Sequence, residues 1–251
     1  MHERGGFILM AGSGSRIRSL FPDSPKPLIP VEGRPLAVHI MESMRRSGID
    51  HVVVNLHDRA ERIRSGLLPV IPEGMMVRYS VEDRVLGTGG GLLNAWPLIR
   101  DMRVLVVRTC DILTRYDVGQ GILRHEEAGA SVTLVLSGQG PTSEAGKIFL
   151  SPEGSVVLPG ESPGREDRPV WFTGIHIVDP QVFKPREGLP KPPFSVFEIY
   201  RRLKKRGIPI RGEETEEGWL DLGTEDGYRQ LPEFLEAWPG AIHPVEVPRP
   251  R

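Results

Sequence analysis

A single cysteine, Cys110, stands in a chain of 251 residues, which excludes an intrachain disulfide framework and a zinc ribbon and fits a reducing cytoplasm. Charge of one sign is lacking as well: 32 Lys and Arg face 33 Asp and Glu, leaving a formal net charge of -1. No global field therefore draws the chain to nucleic acid or to an anionic membrane, although local cationic sites stay open to it. Nor is there a long apolar run at the start. Met1-His2-Glu3-Arg4-Gly5-Gly6 carries an acidic residue and leads into only four apolar positions, 7–10, too few for a signal peptide or a membrane span. The expectation is a soluble cytoplasmic protein, a monomer or small homo-oligomer, with no nucleic-acid or membrane partner. There is also no internal repeat and no low-complexity block. A chain of this length suits one large α/β domain with a substantial core.

What is present alternates short β-type runs with helical patterns, the signature of a mainly parallel sheet covered on both faces. Residues 7–10 read as the first strand. From 35 to 46, Leu36, Ala37, Ile40, Met41 and Met44 recur at helical spacing, with Pro35 at the start and Gly48 at the stop, which predicts a crossover helix. Residues 51–56, 76–81 and 104–107 read as buried strands, 91–99 as a helix, and 131–136 as a further strand. Lys147-Ile148-Phe149-Leu150 and Ser155-Val156-Val157, joined through Pro152-Glu153-Gly154, predict a hairpin. Residues 158–169, rich in proline, glycine and charge, read as a mobile loop able to act as a lid. A strand over 171–178, a helix over 195–205 ending near Gly207 and a last helix over 226–237 follow. The expected domain is residues 1–238, with 239–251 a proline-containing tail.

Gly12-Ser13-Gly14-Ser15-Arg16 follows the first strand at once, so successive backbone N–H groups can face a phosphate unobstructed by side chains. A dinucleotide fingerprint would need glycine where Ile17 stands, and a P-loop would need Gly-Lys-Ser/Thr, which the chain lacks. A glycine loop alone is also an ordinary tight turn. Arg16 and Lys26 tilt the reading toward polyphosphate: one offers a planar fork, the other a compact charge on a backbone stiffened by Pro25 and Pro27.

Leu9-Met10-Ala11-Gly12-Ser13-Gly14-Ser15-Arg16, then Pro25-Lys26-Pro27-Leu28, then Val31-Glu32-Gly33-Arg34-Pro35-Leu36 resemble, in order and spacing, the signature of sugar-1-phosphate nucleotidyltransferases, the NDP-sugar pyrophosphorylases. The resemblance continues through Leu86-Gly87-Thr88-Gly89-Gly90-Gly91, the segment ending in Asp111, Phe172-Thr173-Gly174, and Gly218-Trp219-Leu220-Asp221-Leu222-Gly223-Thr224. It is nearest in pattern to compact N-acetylmuramate-1-phosphate uridylyltransferases and mannose- or heptose-1-phosphate guanylyltransferases. It implies a three-layer α/β/α sandwich, a Rossmann-like nucleotidyltransferase fold with a mostly parallel mixed sheet. The implied reaction joins a nucleoside triphosphate, UTP or GTP, to a sugar 1-phosphate, giving an NDP-sugar and pyrophosphate with Mg2+.

The chemistry requires positive charge, in-line positioning and a stabilised leaving group, because two anions must meet. Resemblance assigns Arg16 and Lys26 to triphosphate and transition-state charge, and Ala11, Gly12, Ser13 and Gly14, with Gly87, Thr88 and Gly89, to the nucleotide. Thr88 can equally cap a helix. Magnesium takes hard oxygen ligands and commonly only one or two protein carboxylates; Asp111 and Asp221 are assigned to it. Gly146, Glu161 and Thr173 are assigned to the sugar. Lys26 is expected to face an open, solvent-filled cleft, so that losing its charge lowers turnover and leaves the fold intact.

Departures bear on the acceptor. Many relatives carry Asn-Gly before the metal aspartate, where this chain has Thr109-Cys110-Asp111; Glu-Lys-Pro at the sugar site is reduced to Glu161-Ser162-Pro163. Plain readings suffice for His39 and the Met41–Met44 pair as core, His57 as a loop residue with local hydrogen bonds, and 201–206 as the solvated cationic end of a helix. Two rivals remain: a non-catalytic regulatory homologue that binds an NDP-sugar, and a cytidylyltransferase acting on a non-sugar alcohol phosphate. Loss of Arg16, Lys26, Asp111 or Asp221 would mark the first, and all four are present.

Overall fold

The computed structural model describes residues 2–140 and 146–242; most of the expected tail, from 243 onward, lies outside the described residues. The first strand, β1 (His2–Leu9), leads through two short 3-10 turns to the hairpin β2 (Pro30–Val31) and β3 (Arg34–Pro35). Its two-residue turn uses positive φ at Glu32 and Gly33, as a tight hairpin requires. Next come α1 (Leu36–Arg46), β4 (His51–Leu56), α2 (Ala60–Leu67), β5 (Met76–Val81), α3 (Gly87–Asn94), α4 (Trp96–Ile99), β6 (Met102–Thr109), β7 (Ile112–Thr114), α5 (Val118–Glu127) and β8 (Val132–Ser137). The second half holds β9 (Lys147–Leu150), β10 (Val156–Val157), β11 (Arg168–Val178), α6 (Val196–Lys205), β12 (Arg211–Thr215), β13 (Trp219–Asp221), α7 (Glu225–Arg229) and α8 (Leu231–Ala237).

Among the described residues, nine strands form the central sheet, in the order β10-β9-β11-β6-β1-β4-β5, with β8 pairing β11 and β12 pairing β8. β6, β1, β4 and β5 run parallel, while β11 joins β6 antiparallel. Alternate residues point to opposite faces. Ile8, Val52, Val54, Val104 and Val106 enter one core with α1, α2, α5 and α8; Phe7, Val53, Leu105 and Val107 enter the other with α3, α4 and α6. The result is the expected α/β/α sandwich. Because β1 is flanked by β4 on one side and β6 on the other, its carboxyl end is a topological switch point, where open α/β sheets bind ligands.

The structure adjusts several boundaries. The helix expected over 226–237 divides at Gln230, and the one over 91–99 begins at Gly87 and divides at Ala95. Pro232 and Pro97 stand at the start of each second piece, lacking the N–H that would continue the preceding helix. Glycine-rich α3 runs against propensity, but Phe194 packs so closely that a Cβ on Gly89 would lie 2.5 Å from its ring. Residues 158–169 are fastened rather than free: Lys204 and Arg201 of α6 bind Glu161 and the Pro159 carbonyl, and β11 already begins at Arg168.

Candidate active site

The glycine loop leaves β1 at the switch point, anchored where the Met10 N–H donates to Asn55 Oδ1 at 2.8 Å. Gly14 turns left-handed (φ 61°) and delivers the 3-10 turn carrying Arg16, a conformation that glycine adopts without steric cost. A second 3-10 turn, with Pro25 before it and Pro27 inside it, carries Lys26. Lys26 Nζ donates to Asp111 Oδ2 at 2.7 Å, and its side chain is only 15% exposed. This corrects the expectation of a solvent-facing lysine: Pro25 and Pro27 are themselves buried and draw its stem inward.

Asp111 follows β6, and Asp221 ends β13. The antiparallel pairing of β13 with β7, Asp221 opposite Ile112, and a bond from the Leu222 N–H to the Asp111 carbonyl at 2.8 Å set the two aspartates side by side. Asp221 Oδ1 accepts from the Gly223 N–H at 2.7 Å, and Arg16 Nη1 stands 3.8 Å from Asp221 Oδ2. A Cβ on residue 223 would lie 2.6 Å from Asp111 Oδ2, 2.8 Å from Asp221 Oδ1 and 3.4 Å from Arg16 Nη2. The two carboxylates and the guanidinium thus converge on the space that a missing side chain leaves open.

Charge follows from this packing. Burial favours the neutral form of Asp111, yet the Lys26 ammonium overcomes it and holds the carboxyl below the usual value. Asp221 is pushed the other way, first by burial and then by Asp111 beside it. Lys26, despite burial, is held above the usual lysine value by the neighbouring negative charge, so it stays protonated. Burial pushes the Cys110 thiol up to about 12; this uncharged side chain is core, in line with its plain reading.

A cavity of about 190 Å³ opens beside these groups, its lining including Ala11, Gly12, Lys26, Thr109 and Asp111 together with Asn55, Glu82, Val85, Gly87 and Thr88. Thr88 does not cap its own helix, which begins at Gly87 after Leu86 with no side-chain cap; its Oγ1 instead accepts from the Val196 N–H at 2.9 Å, fixing the start of α6 against α3. The sugar-side residues are not brought to the cavity wall. Thr173 is buried and donates to the Val135 carbonyl at 2.8 Å, Glu161 pairs with Lys204 at 2.5 Å, and Gly146 accepts through its carbonyl from the Phe172 N–H at 2.8 Å. The lysine beside Glu161 therefore comes from α6 and not from the adjacent residue. The bond His57 makes is tertiary and not the local one expected, to the carbonyl of Glu82 25 residues away at 2.9 Å, and His39 is buried.

Asn55 and Glu82 escaped the sequence reading. Asn55 Nδ2 donates to Glu82 Oε1 at 2.7 Å, and Glu82 Oε2 accepts from the Leu86 N–H at 3.1 Å. The available signal was one polar residue inside the apolar run Val52-Val53-Val54 to Leu56; its partner, 27 residues away, carried none.

A glycine loop, two cations and two carboxylates come together at the switch point of a doubly covered α/β sheet. The nucleotidyl transferase family model matches residues 5–237, and the chain belongs to that family. It is 28% identical over 236 residues to the N-acetylmuramate alpha-1-phosphate uridylyltransferase of Caulobacter vibrioides, covering 86% of this chain and 90% of that protein. To the UTP–glucose-1-phosphate uridylyltransferase of Synechocystis it is 27% identical over 94% of its own length, but it spans 62% of that protein. Its fold is similar to that of HddC from Yersinia pseudotuberculosis, solved with GMP-PN, at a TM-score of 0.75 and 23% identity over 93% of this chain and 99% of that one.

Proposed function

We propose that this chain is an enzyme that transfers the nucleoside monophosphate of UTP or GTP to a sugar 1-phosphate, giving an NDP-sugar and pyrophosphate. The observation that carries the reading is the convergence of Asp111, Asp221 and Arg16 on Gly223 beside Lys26. A phosphate oxygen of the sugar 1-phosphate forms a bond to the α-phosphorus as the α–β bridging bond breaks. The bonding pair leaves with pyrophosphate, and no side chain becomes covalently attached. Lys26, protonated and held in place, supplies charge to the α-phosphate; Arg16, whose side chain is 58% exposed, is free to turn from Asp221 to the leaving phosphates. Backbone amides of 11–14 cradle the triphosphate, and 87–89 border the base.

Asp111 and Asp221 are hard oxygen donors around a space of the right character for magnesium and would hold it, leaving its other positions to phosphate and water. When bound, the ion supplies charge neutralisation at the reacting phosphates. The assignment of Gly146, Glu161 and Thr173 to the sugar rests on the resemblance alone, since none of the three lines the cavity. We also place the reaction in the cytoplasm and the catalytic domain within residues 1–238; among the described residues no helix is long and apolar enough to cross a membrane.

The test is pyrophosphate release with magnesium, offering UTP, GTP, CTP and dTTP against N-acetylmuramate, mannose, heptose and glucose 1-phosphates and against phosphocholine as an alcohol phosphate. Acceptor-dependent release with UTP or GTP is expected. Release only with CTP and an alcohol phosphate, or silence with NDP-sugar binding retained, would replace this reading by one of its rivals.

A further inference from the structure

Beside the glycine loop lies a small groove of about 20 Å³, lined by Gly12, Ser13, Gly14, Arg18, Lys26 and Arg59, among other residues. Gly12 and Lys26 also line the cavity, so the two spaces meet across the same loop. A triphosphate whose nucleoside fills the cavity and whose α-phosphate lies over Gly12 would have this groove within reach of its β- and γ-phosphates, with Arg16 on the other side of them.

Two cations meet there that the reading of Arg16 and Lys26 leaves without a role. Arg18 is exposed and donates to the Ser13 carbonyl at 3.0 Å, bracing the loop. Arg59 sits in the loop between β4 and α2, beside β1 in the sheet. Its side chain is 33% exposed, with Nη1 donating to the Asp23 carbonyl at 3.1 Å and Nε 3.9 Å from Asp58 Oδ2. That lone, mostly exposed carboxylate is the acidic residue lining the groove, against Arg18, Arg59 and a Lys26 whose charge Asp111 already shares.

Arg59 also carries backbone strain. Among the described residues, Glu32 and Arg59 are the non-glycine positions with positive φ. Glu32 is explained by its hairpin turn, whereas Arg59 is left-handed (φ 54°, ψ 31°) at the N-terminus of α2, where its side chain makes no capping bond. A strained conformation persists where the surroundings impose it, which is common where a side chain must be aimed at a ligand.

We propose that Arg59, with Arg18, forms the seat of the leaving pyrophosphate, binding the terminal phosphates of the triphosphate and releasing them as product. The proposal rests on the reaction put forward above. A guanidinium suits the task because its planar fork pairs with two phosphate oxygens at once.

The experiment is calorimetry of inorganic pyrophosphate with magnesium on the full chain, for wild type, Arg59→Asn and Arg59→Lys, paired with kinetics of the reverse reaction. Asparagine tolerates the left-handed backbone, so Arg59→Asn should fold, and a melting temperature near wild type checks this. Pyrophosphate should bind roughly ten- to a hundredfold more weakly to Arg59→Asn, the scale of one lost hydrogen bond to a charged group, with partial recovery in Arg59→Lys. In the reverse direction the KM for pyrophosphate should rise while that for the NDP-sugar stays put. A folded Arg59→Asn that binds pyrophosphate as wild type does would overturn the proposal. Wild type that turns over no substrate pair yet binds pyrophosphate through Arg59 would remove the proposed reaction and uphold the groove.

Discussion

Lys26→Met tests how far stability and chemistry share one contact. In the folded protein the Lys26 and Asp111 side chains are 15% and 9% exposed and bonded at 2.7 Å. Replacing the ammonium by a methyl thioether leaves Asp111 buried without a countercharge, and burial then drives its pKa upward instead of being overcome. Breaking a buried pair from one side costs about 3–5 kcal/mol. For a chain of this size that lowers Tm by roughly 6–20 °C, at about 2–4 °C for each kcal/mol. The assay is thermal unfolding at neutral pH in EDTA, since a divalent cation would partly replace the lost charge. Asp111→Asn placed on top of Lys26→Met should recover much of the loss, because it removes the uncompensated carboxylate. A single variant melting within about 2 °C of wild type, or a double variant whose losses simply add, would refute the account of Lys26 as a buried structural partner of Asp111.

The remaining predictions concern the site and the core. Asp111→Asn and Asp221→Asn should each lower turnover at least about a hundredfold, the scale of losing one charge-stabilising group, and weaken magnesium dependence; wild-type kinetics in either would remove that aspartate from the metal site. Gly223→Ala should fold but lose most activity, because its Cβ would come within 2.8 Å of both carboxylates and force them apart; unchanged turnover would mean that the space at 223 is idle. His176, fully buried against the Tyr200 hydroxyl at 2.8 Å, is held neutral by burial with a pKa lowered to about 3. Its contribution to stability is complete above the unfolded value of about 6.5 and falls away toward pH 3. Between pH 7 and pH 5 about 2 kcal/mol should be lost, and chemical denaturation of His176→Phe should show a correspondingly flatter pH dependence.

Much of the fold was legible because local rules and tertiary packing agree in it. β4 and β5 end where apolar runs meet polar residues, α1 begins after Pro35 and ends before left-handed Gly48, and the glycine loop follows directly on β1. The elements that eluded reading are those where packing overrides propensity: α3 carries four glycines because Phe194, Pro192 and Glu82 approach it too closely for side chains. β12 joins the sheet through Gly212 and three acidic or hydroxyl side chains because β8 offers it a free edge. α8 separates from α7 at a proline that an apolar count alone passes over.

For the site, the sequence by itself determined which groups are available: a glycine loop, Arg16, Lys26, Asp111 and Asp221, each at a strand end or turn where chemistry is exposed. Only the tertiary structure decided how they meet. Asp111 and Asp221 are 110 residues apart in the chain, and the pairing of β7 with β13 makes them neighbours; Lys26 becomes a buried ion-pair partner instead of a free cation; Asn55 and Glu82 join the cavity wall through a bond that spans two strands. Composition and spacing record what a segment can do alone, whereas charge pairing, burial and the empty volume at Gly223 are properties of contacts between segments, and those exist only once the sheet has closed.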